Sequence, residues 1–476
     1  MLRKFFLLFF FYSTLTFGQE KVAQFINSLK TSNSNIKDVV PIVNTKNGDF
    51  AIFIADAKNV YAYKLDSTYK VKEKMASNEK RRKFKEIVGS SISDDNENYR
   101  VFLSDKSNIN FLSFNFSFKN GQTSSKEFQL KKGERFIQTF NSNNKFYLIT
   151  TSFYTKGLYI YSFDDAGNPS KKQIDLNGIK LTNWKNKIVP ISEFLTSSQS
   201  VKKIEESNPN SIEIVASDTK MYIRDHHILF TFDEAIDFTQ VLNIDLTNYK
   251  TSSILFDKPM QDAKSVNTNS YLCGDNFFTL ASNKDKLVME VLDYKTGNII
   301  KEYKILKDLP ITFKNTPIIQ KGGIYNGYRE LEKTKKFLRK INSGQIGLSV
   351  LKRNNRYEIT IGGYVLQSSG GGFGMSMGGF GMSFGGSGGG SVGMFYNPTM
   401  FAYGSYTSSK STIIDCLFDE NFNHVKGKIE DNAFDKMKEY DSPVKSAETV
   451  FKYKNFYLKG NYSSVTKGYS LRKFTN

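Results

Sequence analysis

Residues Val288 to Ile305 read VMEVLDYKTGNIIKEYKI, and this stretch decides the fold. An apolar run leads to Asp293, a Thr-Gly turn follows, and the second half alternates apolar and charged residues. Alternation with a period of two is typical of β-strands, and a short polar turn joins strands that are neighbours in one sheet. The stretch therefore predicts two adjacent antiparallel strands.

The same strand-turn-strand unit recurs along the chain. Its other copies are YAYKLDSTYKVKEK (61–74), FLSFNFSFKNGQTSSKEFQL (111–130), YIYSFDDAGNPSKKQIDL (159–176), VLNIDLTNYKTSSILF (241–256) and IIDCLFDENFNHVKGKI (413–429). The polar markers Asp66, Asn115, Asp164, Asp245, Asp293 and Asp419 are separated by 49, 49, 81, 48 and 126 residues. A period near 48 is that of four-stranded propeller blades. We therefore predict an all-β fold, a β-propeller of seven blades, with six or eight also open.

The irregular spacings locate insertions. The interval of 81 residues contains a segment around 188–210, and the interval of 126 residues leaves room for one blade or nearly two. We expect a propeller domain over 36–476, preceded by a lead segment over 19–35 that is helical by the spacing of its apolar residues. The N-terminal region is expected to supply a missing strand and close the ring. A pair of β-sandwiches is the alternative, but it does not explain the even spacing.

VLDYKTGNII (291–300) resembles the strand-turn-strand core of quinoprotein-type propeller repeats. The resemblance covers one blade and implies the blade fold. The chain has a single tryptophan, Trp184, so the aromatic docking layer of that family is absent. The resemblance therefore implies no quinone, and we expect no cofactor.

Residues 1–18, MLRKFFLLFFFYSTLTFG, have the pattern of a secretory signal peptide: a basic start, a short apolar run and then small and polar residues. No later apolar stretch approaches the ~20 residues of a membrane-spanning helix, so we expect an exported chain without a transmembrane span. The TFGQ junction and the residue bias resemble exported proteins of Bacteroidota. The predicted location is the periplasm, in association with the outer membrane.

The formal net charge of +19 favours acidic partners such as an anionic envelope surface, and export argues against nucleic acid. Two basic runs stand out, EKRRKFKE (79–86) and RELEKTKKFLRK (329–340). Solvated loops between strands are the favoured interpretation. For the second run, a basic amphipathic helix that binds a surface is the alternative.

Residues for catalysis or metal binding are sparse. The chain has three histidines, of which His226 and His227 are adjacent and point to opposite faces if they lie on a strand. SFDDAGNP (162–169) resembles a sialidase Asp-box but lacks its Thr-Trp pair, and we interpret it as a hairpin turn. Cys273 and Cys416 are expected to be buried side chains, with one disulfide as the alternative. We predict no catalytic residues and no metal site, hence no enzyme.

Fifty-one consecutive residues, 359–409, contain no Asp, Glu, Lys or Arg. The tandem heptads GGFGMSM (371–377) and GGFGMSF (378–384) lie at the centre, and 13 of the 34 glycines fall within 370–393. We expect a loop over 366–400, inserted between YEITIGGYVLQ (357–367) and MFAYGSYTSSKSTIIDCLF (400–418), both strands. A disordered loop, insertion into a partner protein and insertion into lipid are the three alternatives.

In the partner alternative, the flexible apolar side chains of the loop make the contact. These are Phe373, Met375, Met377, Phe380, Met382, Phe384, Met394 and Phe395. In shape and compartment, such a protein resembles the propeller subunit of the barrel-assembly machinery and the plug component of the type IX translocon. The prediction is a non-enzymatic binding, scaffold or gating subunit of an outer-membrane protein or translocation complex. The alternative is a secreted carbohydrate-active or carbohydrate-binding propeller.

Overall fold

The strand-turn-strand repeats lie in antiparallel sheets of four or five strands. The computed structural model describes residues 20–31, 33–196, 201–263, 265–321, 328–365, 397–440 and 447–476. In this part of the chain there are seven sheets, and the helices are short. The fold is therefore an all-β propeller, as predicted.

The strands of the N-terminal part are β1 (Glu20–Ile26), β2 (Asp38–Val43), β3 (Phe50–Ala55), β4 (Val60–Leu65), β5 (Val71–Ala76), β6 (Glu86–Ile92), β7 (Asn98–Ser104), β8 (Asn110–Ser117), β9 (Gln122–Gln129), β10 (Glu134–Ser142), β11 (Lys145–Ser152), β12 (Leu158–Phe163) and β13 (Pro169–Gln173). The helices are α1 (Ile191–Leu195), α2 (Ile212–Val215), α3 (Thr334–Ile341), α4 (Pro398–Ser408) and α5 (Ala433–Glu439).

The strands of the C-terminal part are β14 (Lys202–Ile204), β15 (Thr219–Arg224), β16 (His227–Phe232), β17 (Phe238–Asp245), β18 (Thr251–Asp257), β19 (Asn267–Cys273), β20 (Asn276–Ser282), β21 (Lys286–Asp293), β22 (Ile299–Leu306), β23 (Ile318–Gln320), β24 (Arg329–Leu331), β25 (Gln345–Arg353), β26 (Arg356–Tyr364), β27 (Ser411–Phe418), β28 (Thr449–Tyr453), β29 (Phe456–Ser463) and β30 (Gly468–Phe474).

Each sheet is one blade. From the inner to the outer edge, the blades are β2-β3-β4-β5, β6-β7-β8-β9, β10-β11-β12-β13, β14-β15-β16-β17-β18, β19-β20-β21-β22, β25-β26-β27-β23-β24 and β28-β29-β30-β1, numbered here as blades 1 to 7. Neighbouring strands are antiparallel except β14 and β15, which are parallel. The sequence therefore predicted the blade number correctly.

Consecutive blades contact each other around the ring. Phe53 of blade 1 packs against Phe116 of blade 2, with ring centroids 5.2 Å apart. The hydroxyl of Tyr453 in blade 7 donates to the carbonyl oxygen of Gly48 in blade 1 at 2.7 Å and joins the last blade to the first. The buried apolar side chains form clusters shared by adjacent blades. The core thus lies between the sheets, as expected for sheets packed face to face.

Position in a blade decides the burial pattern. Every residue of β3 is buried, because this strand lies inside its sheet and both faces are covered by neighbouring blades. The outermost strands β5 and β22 instead alternate between more and less exposed residues. The alternation that predicted strands therefore comes mainly from the outer strand of each blade.

Most of the polar markers lie at the turn between the third and fourth strands. The carboxylates of Asp66, Asp245 and Asp293 accept backbone N–H groups of Thr68 (2.9 Å), Thr247 (2.8 Å) and Thr296 (2.7 Å). Hydrogen bonds from the threonine hydroxyl and from backbone N–H groups hold the pKa of Asp66 below its usual value. Asn115 lies within β8 instead. The repeat of about 48 residues in the sequence thus reflects an aspartate turn that recurs in several blades and is held by hydrogen bonds.

The predicted helix in the lead segment is wrong, because this segment forms β1. It pairs with β30 from Glu20 opposite Lys473 to Ile26 opposite Gly468 and supplies the outer strand of blade 7. A β-bulge between Lys21 and Ala23 breaks the period of two, so the apolar residues have a spacing that resembles that of a helix. The prediction that the N-terminal region closes the ring is confirmed.

Blade 6 differs from its predicted form. The copy at 413–429 supplies one strand, β27, and the next strand outward is β23, which comes from earlier in the chain. The basic run 329–340 forms β24 and most of α3, so the prediction of a solvated loop is wrong for this run. Phe337, Leu338 and Ile341 of α3 are fully buried. The apolar side of this helix therefore packs into the core.

Helix α3 approaches the end of β26 at Gly363. A Cβ atom at this position would lie 2.7 Å from the carbonyl oxygen and 2.8 Å from the Cα of Ile341. Real Cβ atoms essentially never come so close to backbone atoms. Glycine is therefore required for the helix to rest on the strand that leads into the uncharged segment.

A buried ion pair lies in blade 4, and a hydrogen bond joins it to blade 5. Lys220 donates to Asp233 at 2.6 Å, and both side chains are 0% exposed. Asp233 also accepts the hydroxyl hydrogen bonds of Thr239 (2.6 Å) and of Ser270 from blade 5 (3.0 Å). Burial alone would raise the pKa of Asp233, but Lys220 and Lys258 hold it below its usual value. This carboxylate is the centre of a polar network inside the core.

Two further predictions concern the cysteines and membrane-spanning helices. Cys273 and Cys416 are free and buried, so the favoured interpretation is confirmed and the disulfide is excluded. Among the helices that the structure describes, none is long and apolar enough to cross a membrane.

Candidate functional site

Helix α4 packs against the inner strand of blade 7 and against α2. The sequence predicted a strand over 400–418, but its first part, up to Ser408, belongs to this helix. Asn397 caps the helix, since its side chain accepts the N–H of Met400 at 3.1 Å, and Pro398 follows at the first helical position. Asn397 also donates to the carbonyl oxygen of Val450 on β28, the inner strand of blade 7. The described end of the uncharged segment thus begins at the inner strand of blade 7.

The insertion between blades 3 and 4 fills another part of the same space. It provides β14, which adds an inner fifth strand to blade 4, and α2, which packs against β25 and β26 of blade 6. Ser211, the residue before α2, shares a hydrogen bond with Ser405 of α4 at 2.5 Å. Two insertions from distant parts of the chain therefore meet at the ring axis.

A cavity of about 430 Å³ remains beside these insertions, and we call it the axial pocket. It is enclosed by the inner strands of blades 1, 3, 4 and 7 and by the start of α4. Its lining residues are Pro41, Val43, Phe140, Asn141, Ser142, Asn143, Lys203, Ile204, Glu205, Ile223, Asp225, Asn397, Pro398, Thr399, Phe451 and Lys452. The volume is that of a site for a small organic molecule.

Lys203 is the most perturbed group of the axial pocket. It lies in the middle of β14, where it pairs with Met221, and its Nζ donates to the carbonyl oxygen of Thr139 in blade 3 at 3.1 Å. Burial lowers the pKa of Lys203 to about 7, and the nearby Glu205 offsets this only in part. About half of these side chains therefore carry a neutral amine at neutral pH.

Glu205 is two residues further along and is an exposed residue of the pocket lining. Desolvation of its carboxyl group still raises its pKa, while Lys452 and Lys203 act in the opposite direction. The pocket thus contains an amine and a carboxyl group whose pKa values are shifted towards each other. Such a pair can exchange a proton near neutral pH.

Asn141 adds an unused acceptor to the pocket wall. Its Nδ2 donates to the carbonyl oxygen of Ser90, which fixes the side-chain amide. Its Oδ1 is buried and has no hydrogen-bond partner among the described residues. An unsatisfied buried acceptor costs roughly 1–3 kcal/mol, so a bound molecule that donates a hydrogen bond there gains affinity.

A second cavity of about 270 Å³ contains carboxyl groups. Glu358, Asp415 and Asp435 line it, and burial raises the pKa of the first two. Each carboxyl group has a structural partner: Glu358 pairs with Arg353, Asp415 accepts the Thr360 hydroxyl, and Asp435 accepts the Tyr406 hydroxyl. These bonds hold β26, β27, α4 and α5 together. This structural role accounts for the cluster of carboxyl groups.

Another perturbed carboxyl group lies at the start of the inner strand of blade 1. Burial raises the pKa of Asp38 to about 7, and the negative charge of Glu86 at the start of β6 adds to this. Backbone N–H groups of Val39 and Ile87 act in the opposite direction. The two carboxyl groups lie at the ends of β2 and β6 that are opposite to the axial pocket.

The predicted contact residues of the loop lie outside the described residues. These are Phe373, Met375, Met377, Phe380, Met382, Phe384, Met394 and Phe395. The sequence did not single out Lys203, Glu205 or Asn141. The only signal was the position of KKIEESNPN (202–210) in an insertion, and an insertion does not indicate which of its lysines faces a cavity.

No family model and no curated protein matches the chain. Among solved structures, a variant of the Synechocystis apocarotenoid oxygenase is 9% identical over 58% of this chain, with a TM-score of 0.30. A chimera of that oxygenase with RPE65 is 9% identical, with a TM-score of 0.29. The chain covers 63% and 64% of the length of these two proteins.

These similar structures are enzymes, and by this comparison the predicted non-enzymatic scaffold or gating subunit is wrong. The prediction that the protein is not an enzyme is withdrawn as well. At 9% identity and a TM-score of 0.30, the likeness gives this chain no activity and no substrate. One of the similar structures is a cobalt-substituted form of the oxygenase. In the described part of the present chain, no group of three or more His, Cys, Asp or Glu side chains is placed to hold a metal ion.

Proposed function

We propose that this protein binds a small organic molecule in the axial pocket, with the apolar body of the molecule against the inner strands and its oxygen-bearing end at Lys203. The enclosure of a cavity of about 430 Å³ by four blades and α4 is the observation that carries the proposal. A concave pocket that combines apolar walls with a few polar groups is typical of a ligand site.

The two sides of the pocket differ in character. Phe140, Ile223 and Phe451 provide an apolar wall, whereas Asn141 and Lys203 provide polar atoms. Such a wall favours an aliphatic or aromatic body, since burying apolar surface yields about 25 cal/mol per Å². The amine of Lys203 can then hold an oxygen atom of the ligand, and Oδ1 of Asn141 can accept a hydrogen bond from a hydroxyl group of the ligand.

Blocking the pocket tests this proposal. Ile223 lines the cavity from β15, and we expect that Ile223→Trp fills part of the volume and weakens the binding of octanoate at least tenfold. Isothermal titration calorimetry on the full chain measures the affinity, and far-UV circular dichroism checks the fold.

The matched control is Ile236→Trp, which introduces the same side chain at a position 57% exposed and outside the pocket. It is expected to bind octanoate like the wild type. Equal affinity of all three proteins, or no binding by the wild type to octanoate, octanol or octanal, would rule out the axial pocket as a ligand site.

Export to the periplasm is part of the proposal. The basic start and short apolar run of residues 1–18 support it, and β1 begins soon afterwards at Glu20. We expect a tagged protein in the periplasmic fraction with Gln19 at its N-terminus, which cell fractionation and N-terminal sequencing would show. An intact, uncleaved chain in the cytosol would contradict export. Contact of the 366–400 loop with an outer-membrane protein stays a prediction, as does binding to an anionic envelope surface.

A further inference from the structure

We propose that Lys203 captures carbonyl compounds in the axial pocket by forming an imine. This inference rests on the proposed ligand site and deepens it, because it identifies the chemical class of the ligand as an aldehyde or ketone with an apolar body. It is supported by the position of the amine, the acid two residues further along and the unpartnered acceptor in the same pocket.

The position of the amine is fixed by the backbone. β14 pairs with β15 over Lys202 to Ile204, so the direction of each side chain in this short strand is determined. Lys203 lines the pocket, whereas Lys202 reaches the ring of Phe401 on α4, with 5.9 Å from its Nζ to the ring centroid. Burial lowers the pKa of both lysines, but only Lys203 lines the pocket, so position and not desolvation separates them.

The surroundings of Lys203 favour the reactive form of the side chain. A lysine attacks a carbonyl carbon only as the neutral amine, and desolvation in a protein cavity increases the neutral fraction. With a pKa of about 7, roughly half of the Lys203 amine is neutral at pH 7. For a surface lysine with a pKa near 10.4, the neutral fraction at this pH is below about 0.1%.

The reaction is balanced without an oxidant or a reductant. The lone pair of Nζ forms a bond to the carbonyl carbon, and the carbonyl oxygen takes up a proton to give a carbinolamine. Loss of the hydroxyl group as water and of the remaining N–H proton leaves a C=N bond, so amine and carbonyl give imine and water. Glu205 is suited to donate and accept these protons, because its raised pKa keeps more of it protonated.

Asn141 is suited to hold the intermediate. The carbinolamine has a hydroxyl group that the starting carbonyl compound lacks, and the unpartnered Oδ1 of Asn141 can accept its hydrogen bond. A fixed acceptor that is used only after the attack stabilises the intermediate over the ligand. Asn141 is therefore a candidate for tuning the rate of capture.

Reductive trapping tests the inference. The full chain is incubated at pH 7 with octanal and sodium cyanoborohydride, which reduces an imine to a stable secondary amine. We expect the octyl group on Lys203 in peptide mass spectrometry, at a rate at least tenfold above that of any other lysine. The pH dependence should have its midpoint near 7, whereas surface lysines should react appreciably only at higher pH.

Two variants separate a reactive lysine from a structural one. Lys203→Met should lose the fast labelling, and Lys202→Met should retain it. Asn141→Ala should slow the labelling of Lys203 relative to the wild type. If Lys203 only ties β14 to Thr139, then Lys203→Met reduces thermal stability and the wild type shows no preferred label.

Each outcome is informative. Labelling of Lys203 no faster than of other lysines, with octanoate still bound in a manner sensitive to Ile223→Trp, would overturn the imine and leave the ligand site intact. Absence of both labelling and binding would overturn the ligand site as well. Fast labelling that persists in Lys203→Met would place the reactive amine elsewhere and contradict the inference.

Discussion

Replacing Asp233 by alanine is expected to lower the free energy of unfolding by about 3–5 kcal/mol. The substitution leaves the ammonium group of Lys220 at 0% exposure without its carboxylate, and it removes the acceptor for Thr239 and Ser270. A buried charge without a partner costs far more than an exposed one. Urea denaturation followed by far-UV circular dichroism measures the change.

The effect should depend on pH. The lowered pKa of Asp233 means that its stabilising contribution is present above the unfolded-state value near 3.9 and is lost as the pH falls through the folded-state value. The difference between wild type and Asp233→Ala should therefore shrink in acid. A difference that grows as the pH is lowered would contradict this explanation.

Asp285→Ala is the control for the buried pair. Asp285 forms a salt bridge with Lys307 at 2.7 Å, but the two side chains are 48% and 40% exposed. Exposed ion pairs contribute little to stability, so the control should unfold close to the wild type. An equal loss of unfolding free energy in Asp233→Ala and Asp285→Ala would show that burial of the ion pair is not the reason for the destabilisation.

Gly363→Ala is expected to lower the free energy of unfolding by about 2–3 kcal/mol. The added methyl group would lie 2.7 Å from the carbonyl oxygen of Ile341, so α3 must move away from β26. The contacting atoms belong to the backbone and cannot rotate aside. Chemical denaturation measures the loss, and Gly157→Ala is the control, since its nearest contacts are at 3.4 Å and belong to side chains.

The control is expected to change stability by less than about 1 kcal/mol, and an alanine can even stabilise where the backbone conformation suits it. If Gly363→Ala is as stable as Gly157→Ala, α3 does not press on β26 as described. A larger loss of stability in Gly157→Ala than in Gly363→Ala would likewise contradict the described contact between α3 and β26.

The parts of the fold that the sequence predicted are those that depend on local pattern. Five of the six strand-turn-strand units form the hairpins expected of them, because an aspartate turn and an exposed outer strand leave a signal in neighbouring residues. β1 was missed because its partner β30 is at the other end of the chain. α4 was missed because Asn397 and Pro398, which begin it, follow a long glycine-rich stretch that indicates a loop.

The axial pocket could not be predicted for a related reason. Its wall is assembled from β2, β10, β14, β28 and the start of α4, which are far apart in the sequence. The separation of Asn141 and Lys203 in the sequence does not indicate that the two residues line the same cavity. The pKa of Lys203 is set by desolvation in the assembled ring and not by its neighbours in the chain.

The pairing of β1 with β30 has a consequence for the order of events in biosynthesis. β1 finds its partner only after β30 has been made, so the ring stays open until all seven blades have been synthesised. Contacts between distant parts of a chain form slowly, because a long loop must close first. If residues 1–18 direct export, the signal is thus read while the blades cannot yet complete the ring.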